Sequence, residues 1–168
     1  MTVMQHDVPG RHYRDVMGHL PTGVVAVGGL DPRTGRPVGL VVGTFQSLSL
    51  KPALVSFSVA RTSGSWPRVR AGGRFTASVL SARQHRVCRA LSRKAEDKFA
   101  AVDWTASGNG CPRITGALAW IDCEIREELD GGDHLIVIAS VGDLAAEPGE
   151  PLVFHQGRFG GYREIGTA

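Results

Sequence analysis

The sequence has 168 residues, of which 42% are hydrophobic and 21% charged, and its formal net charge is +3. These values are typical of one globular domain with its own core, and they exclude a chain that is mainly disordered. The longest run without a formal charge is 15 residues, between Asp15 and Asp31, and it contains Pro21. No membrane-spanning helix is therefore expected, and the start of the chain lacks the apolar stretch of a secretion signal, which predicts a cytoplasmic protein.

The chain opens with a segment that carries no regular pattern. Residues 1–9 are predicted to form a flexible tail, and residues 10–168 a single domain. An amphipathic helix is predicted over residues 11–20 because apolar side chains recur there at helical spacing. Its apolar face carries Tyr13, Val16, Met17 and Leu20.

The 22 glycines and 9 prolines indicate many turns and hence many short strands. β-Branched and apolar runs predict strands over residues 24–30, 38–44, 53–60, 74–80, 117–127, 134–145, 152–154 and 159–163. Asp130-Gly131-Gly132-Asp133 predicts a tight turn between the two longest strands. A short helix or turn is predicted over residues 63–71, a helix over residues 82–93, and a loop over residues 95–112. The order of elements favours a mainly β antiparallel barrel with a few short peripheral helices over a Rossmann sheet.

Positive charge is concentrated in the middle of the chain. Residues 61–98 contain ten of the nineteen Lys and Arg but only Glu96 and Asp97 as acids, a local charge of +8. This segment is interpreted as a solvated helix face, a site for a phosphate-bearing ligand, or a nucleic-acid site. No aromatic residues alternate with the basic ones and no recognition motif is present, so nucleic-acid binding is not expected. The helical part of the segment carries Arg83, Arg86, Arg89, Arg93 and Lys94.

The three cysteines, Cys88, Cys111 and Cys123, have spacings that match no CxxC pair and no zinc motif. They are expected to be buried thiols in a reducing compartment. No metal site is predicted.

Three segments place polar groups at the ends of predicted elements. Residues 39–52 begin as an apolar strand and change to small hydroxyl and amide side chains, although Ser and Thr are common at strand ends. Residues 61–67 combine an arginine with hydroxyls at a helix entry, which suits a phosphate, but Thr62 or Ser63 could equally be a helix cap. His134 opens an apolar strand after a turn and could be only a surface residue.

Together, in this order, these segments resemble the short-chain flavin reductases. Members of this family are FMN-binding split-barrel proteins that serve as reductase components of two-component flavin monooxygenases. The resemblance runs from about Tyr13 to Tyr162. It rests on Pro21-Thr22-Gly23-Val24, residues 39–55, Ser63-Gly64-Ser65-Trp66, Gly73-Arg74-Phe75, Asp97-Lys98-Phe99-Ala100, Val102-Asp103-Trp104, Gly116 to Trp120, Cys123, Gly132-Asp133-His134, Pro151 to Phe154, Gly157 and Tyr162.

The resemblance implies a six-stranded antiparallel Greek-key split barrel that forms a homodimer, with flavin bound near the dimer interface. His134 matches a family histidine near the nicotinamide or the outer face of the flavin, and it is the expected catalytic residue. The expected cofactor-binding residues are Gly43, Thr44, Phe45, Gln46, Ser47, Arg61, Ser63, Ser65, Lys98, Phe99 and Tyr162.

The implied function is an NAD(P)H:flavin oxidoreductase that transfers a hydride from NADH or NADPH to FAD or FMN. Reduced flavin would then pass to a partner monooxygenase. Gly43 stands where many members carry Asn, so one side-chain hydrogen bond to the flavin ring is expected to be missing, and Lys51 replaces a commoner acidic residue. Two alternatives stay open, namely a split-barrel flavoprotein that holds FMN tightly and reduces another acceptor, and a non-enzymatic flavin- or haem-binding protein.

Overall fold

The computed structural model describes residues 8–166, so residues 1–7 of the predicted tail lie outside the described part of the chain. The helices are α1 (Gly10–Met17), α2 (Trp66–Ala71) and α3 (His85–Ser92), the last preceded by a 3-10 turn (Ala82–Gln84). The strands are β1 (Thr22–Gly23), β2 (Val25–Leu30), β3 (Pro37–Val42), β4 (Gln46–Leu50), β5 (Ala53–Ala60), β6 (Arg74–Val79), β7 (Trp104–Ala106), β8 (Pro112–Ile114), β9 (Ala119–Gly131), β10 (His134–Ala146), β11 (Val153–His155) and β12 (Arg158–Gly160).

The main sheet has seven antiparallel strands in the order β3-β2-β6-β9-β10-β5-β4. The sheet curls so that its two ends meet. Just beyond β3, Thr44 Oγ1 accepts a hydrogen bond from the backbone N–H of Ser58 in β5 at 2.8 Å and donates to the Ser58 carbonyl at 3.3 Å. The predicted mainly β split barrel is confirmed, with one strand more than the six expected.

The barrel interior is filled by inward-facing side chains of the long strands and by one side of α2. Val25 and Val27 of β2 belong to this core, whereas Val24 and Ala26 belong to a second one, as the two-residue repeat of a strand requires. Phe57 lies at the centre, with Trp66 and Phe75 edge-on to it at ring distances of 5.4 and 5.5 Å.

The second core lies on the outer side of the barrel, under α3 and residues 99–120. Cys88 and Leu91 are the buried residues of α3, so the opposite face of this basic helix is solvated. Gly39 is required between the two cores because a Cβ there would lie 2.8 Å from the Val27 carbonyl oxygen and 3.1 Å from the Phe99 ring.

Three strand regions were missed by the sequence analysis, one of them the two-residue β1 that pairs with β11. β4 carries alternating Ser and Leu on the sheet edge, where Leu48 and Leu50 stay exposed, so its pattern lacks a buried apolar face. The predicted loop 95–112 contains β7 and, with β8, forms a two-stranded hairpin whose tip holds Gly110 at a φ of 83°. Strands this short leave little periodicity to read.

Helix α1 is shorter than predicted and ends at Met17 instead of residue 20. None of its residues is buried, and Tyr13, Val16 and Met17 of its apolar face are between 42% and 57% exposed. Within residues 8–166, no helix has the length and apolar character needed to cross a membrane.

Candidate functional site

A cavity of about 450 Å³ opens between the end of β3, the first residue of β10 and the C-terminal end of α3. This volume lies within the range of about 300–1,000 Å³ that is usual for small-molecule sites. The predicted site residues that line it are Gly43, Thr44, Ser63, Lys98 and His134.

The wall at the end of β3 offers backbone donors. Within residues 8–166, the N–H groups of Gly43, Thr44 and Phe45 donate no turn, loop or side-chain hydrogen bond. The Thr44 hydroxyl is occupied in closing the barrel onto Ser58. The polar contribution of this segment to a ligand therefore comes from its backbone.

His134 reaches the cavity because β10 begins directly beside the end of β5, where His134 pairs in register with Ala60. Its Nδ1 lies 2.7 Å from Asp133 Oδ1, and this hydrogen bond holds the pKa of Asp133 below its ordinary value. With Nδ1 engaged, Nε2 is the ring nitrogen left for a ligand.

Three cationic side chains line the opposite wall, and no carboxylate lines it among the described residues. Lys98 Nζ donates to Ser65 Oγ at 2.9 Å and to the Leu91 carbonyl at 3.0 Å. Burial, and secondarily the nearby Arg68, lower the pKa of Lys98. Arg93 and Lys94 make no side-chain hydrogen bond or ion pair within residues 8–166, which leaves their charges available to an anionic ligand.

Hydroxyl groups at the entry to α2 complete this wall. Thr62, Ser63 and Gly64 line the cavity. Ser63 Oγ accepts a hydrogen bond from the Trp66 backbone N–H at 3.2 Å, although the N-cap residue of α2 is Ser65 and not the predicted Thr62 or Ser63. The Ser63 hydroxyl hydrogen remains available as a donor.

Two predicted binding residues pack against the cores instead of lining the cavity, Phe45 partly buried and Phe99 buried. Phe45 packs against the barrel core and stacks on Phe57, with ring centroids 6.0 Å apart. Phe99 is 4% exposed and lies edge-on to Trp104 in the second core. Their side chains therefore contribute to core packing and not to the cavity lining.

The other predicted residues also lie outside the cavity lining. Gln46 and Ser47 are exposed on β4, and Gln46 Nε2 donates to Ser56 Oγ at 3.5 Å. Ser65 is buried against Lys98. Tyr162 is 64% exposed beyond β12. Arg61 is bonded to the β9–β10 turn.

Several lining residues were not among the predicted site residues. Leu91, Ser92, Arg93 and Lys94 come from the end of α3, and Ser58 from β5. Arg93 and Lys94 lie in the basic segment 61–98, for which a phosphate-bearing ligand was one of the interpretations. The apolar and small residues carry no sequence signal that separates them from ordinary core positions.

A second cavity of about 210 Å³ adjoins the first at Val41, Val42, Gly43 and Ser92, which line both. Its other walls are largely apolar, with Phe154 and Phe159 among them. The two cavities give the site a cationic end and an apolar end, an arrangement that suits a ligand with a flat ring and a phosphate-bearing chain. Among residues 8–166, no three His, Cys, Asp or Glu side chains are grouped as a metal site.

Comparison with known proteins finds one matching family and relatives that bear related names. Residues 17–163 match the family described as flavin reductase like domain. A flavin reductase from Pseudomonas putida is 42% identical over 164 residues, which cover 97% of this chain and 96% of that protein. The reductase subunit HsaB of a flavin-dependent monooxygenase from Rhodococcus jostii is 40% identical over 90% of this chain and 77% of its own length.

Solved structures agree in fold. Nitrilotriacetate monooxygenase component B from Mycobacterium thermoresistibile superposes with a TM-score of 0.89 at 36% identity, covering 95% of this chain and 90% of that one. An NADH:FAD oxidoreductase from Streptomyces globisporus, in complex with NAD and FAD fragments, superposes with a TM-score of 0.84 at 33% identity. That match covers 94% of this chain and 93% of the other.

Proposed function

This chain belongs to the flavin reductase-like domain family, and we propose that it is an NAD(P)H:flavin oxidoreductase. It transfers a hydride from NADH or NADPH to FAD or FMN and supplies the reduced flavin to a partner monooxygenase. The observation that carries the proposal is the cavity itself, which combines unused backbone donors, a histidine and unpaired cations, with no carboxylate in its lining within residues 8–166.

The bound nicotinamide and flavin supply the chemistry, because the hydride moves directly from one ring to the other. The chain positions the two rings, and the N–H groups of residues 43–45 donate hydrogen bonds where negative charge develops on the acceptor ring. His134 lies at the cavity mouth and orients the donor ring through Nε2. No general acid or base is required for the transfer.

Binding of the phosphate chain falls to the wall formed by α3 and the entry to α2. Arg93 and Lys94 supply unpaired positive charge, and Ser63 supplies a hydroxyl donor. Lys98 holds this wall together through Ser65 and the end of α3, at the edge of the same cavity. Such charge-assisted bonds are the strong contacts of phosphate sites.

We further propose that residues 10–168 form one domain. Two copies of the chain would associate as a homodimer. Support comes from the exposed apolar face of α1 and from exposed leucines on the sheet, Leu50 at 91% and Leu144 at 67%. Large contiguous apolar patches on a protein surface often mark an interface, and we propose that these residues belong to one. A cytoplasmic location fits the three buried, reduced cysteines and the need for a nicotinamide donor.

The decisive property of such a reductase is release of its product. Purified protein is mixed anaerobically with FMN and excess NADH, bleaching of the flavin is followed at 450 nm, and the mixture is then filtered through a membrane that retains protein. We expect full bleaching and reduced flavin in the filtrate. Flavin that is reduced but stays with the protein would instead support a tightly bound flavoprotein with another acceptor.

A further inference from the structure

Arg61 matches a phosphate ligand by resemblance, yet its polar groups face the turn between β9 and β10. Its Nη2 donates to Asp130 Oδ1 at 2.8 Å, and its Nε donates to the Gly132 carbonyl at 2.8 Å. Its backbone N–H donates to the Asp133 carbonyl at 3.0 Å. One residue directly after β5 thus holds the turn at three points, Asp130, Gly132 and Asp133.

The turn has its own internal bond, which Arg61 reinforces. Asp130 Oδ1 also accepts the backbone N–H of Gly132 at 3.0 Å, and Gly132 adopts a φ of 79°. Both this N–H and the guanidinium keep the pKa of Asp130 below its ordinary value, so the carboxylate is charged at neutral pH. Arg61 and Asp130 therefore form an ion pair, and each of them also bonds to the backbone of Gly132.

His134 is the first residue of β10 after this turn. It pairs with Gly131 across the hairpin and with Ala60, the neighbour of Arg61, across β5. Its Nδ1 is bonded to Asp133, whose carbonyl accepts the backbone N–H of Arg61, while the Arg61 side chain holds Asp130 and Gly132 of the same turn. The position of the imidazole in the cavity therefore depends on the contacts that Arg61 makes.

We infer that Arg61 and Asp130 are positioning residues that fix the β9–β10 turn and, through it, the His134 ring, and that Arg61 does not bind the flavin phosphate. The inference rests on the proposed function, since it assigns these residues to the same site. Asp130, which does not line the cavity, becomes a determinant of hydride transfer.

Phosphate-free riboflavin separates this role from phosphate binding. If Arg61 positions His134, Arg61→Gln lowers kcat/KM for NADH about fivefold with either FMN or riboflavin as acceptor. If Arg61 binds phosphate, the loss appears as a higher KM for FMN and is absent with riboflavin. Arg61→Lys gives a further distinction, because a lysine keeps the charge but cannot make both side-chain bonds. We expect Arg61→Lys to be nearly as impaired as Arg61→Gln.

The two roles of Arg61 predict opposite effects of Asp130→Ala. A positioning pair loses its function when either member is removed, so Asp130→Ala should lower kcat/KM about as much as Arg61→Gln. A phosphate-binding Arg61 would be released by the same change and would bind FMN more tightly. The matched control is Arg70→Gln, which removes another partly exposed ion pair to β9, Arg70–Glu128, away from the turn. We expect this control to retain wild-type kinetics.

A double-mutant cycle tests the route through His134. Adding Arg61→Gln to His134→Ala should change kcat/KM less than about twofold, because the group that Arg61 positions is already gone. Equal losses in both backgrounds would overturn the inference while the wild-type turnover still supports the reductase function.

A measurement without turnover keeps the inference testable if the wild type reduces no flavin. The ring proton signals of His134 are assigned by NMR with His134→Ala, and thermal unfolding confirms that each variant is folded. Arg61→Gln should shift the His134 signals and leave those of His19 unchanged. Unchanged His134 signals in folded Arg61→Gln would contradict the inference.

Discussion

At the residue scale, the proposed hydride transfer requires correctly positioned rings and little acid–base chemistry from the protein. His134 is the side chain that combines a place in the cavity with a fixed ring orientation through Asp133. We predict that His134→Ala lowers kcat/KM for the nicotinamide by more than about threefold, which corresponds to about 0.65 kcal/mol of transition-state stabilisation. Steady-state kinetics at saturating flavin measure this effect, and a smaller loss would remove His134 from the proposed site.

The two unpaired cations of the cavity give a prediction on phosphate binding. Replacing Arg93 and Lys94 together by Gln should raise the KM for FMN about tenfold, or about 1.4 kcal/mol, and leave that for riboflavin unchanged. Arg86→Gln with Arg89→Gln is the matched control, because these arginines lie on α3, which directly precedes Arg93 and Lys94 in the chain, but outside the cavity lining. An equal rise with riboflavin would contradict the assignment.

The carboxylate of Asp31 is expected to make the free energy of unfolding depend on pH. It is 1% exposed and accepts hydrogen bonds from Arg68 Nε and the Arg33 backbone N–H, which lower its pKa from 3.8 to about 2. Because the folded pKa is depressed, its contribution is fully present above pH 3.8 and is lost as the pH falls through about 2.

Asp31→Asn should therefore be less stable than the wild type at pH 7, and the difference in unfolding free energy should narrow below pH 3.8. Urea denaturation at a series of pH values provides the comparison. A difference that stays constant down to pH 2 would show that the charge of Asp31 is not what stabilises the fold.

At the scale of elements, the buried carboxylate of Asp122 gathers several of the hydrogen bonds that attach the β7–β8 hairpin to the barrel. Asp122 of β9 accepts hydrogen bonds from Ser107 Oγ at 2.6 Å, Thr76 Oγ1 at 2.7 Å and the Asn109 backbone N–H at 3.2 Å. We predict that Asp122→Ala lowers the free energy of unfolding by about 2–4 kcal/mol, because buried donors lose their acceptor. Asp143→Ala, at an exposed carboxylate of β10, should change it by less than about 0.5 kcal/mol.

The elements that the sequence predicted well are those with long, regular patterns. β5 and β10 were predicted within one residue of their observed bounds and β9 within four, since long strands rich in β-branched and apolar residues give the clearest signal. β4 was missed because its apolar residues face outward, and the β7–β8 hairpin because its strands have three residues each.

The site was predictable only where a residue's chemistry and its place in the chain agree. Thr44, Ser63 and His134 follow or precede strands and do line the cavity. Phe45 and Phe99 stand in matching motifs, but their rings complete the cores. Which way a side chain points at a strand end depends on tertiary packing, and the sequence pattern does not carry that information.

At the scale of the whole molecule, the proposed homodimer accounts for apolar surface that the single chain leaves uncovered. α1 buries none of its residues, and Leu50 is 91% exposed. We predict that sedimentation equilibrium gives about twice the chain mass of 17.9 kDa. A species of the single-chain mass at micromolar concentration would contradict the dimer.

The central claim is that this chain oxidises a nicotinamide only when flavin is supplied as an acceptor. Absorbance at 340 nm is followed with NADH or NADPH, and with FAD, FMN or no flavin added to the purified protein. The account predicts turnover that requires added flavin, and the rates identify the preferred pair. A folded protein that oxidises neither nucleotide with either flavin would contradict the reductase function.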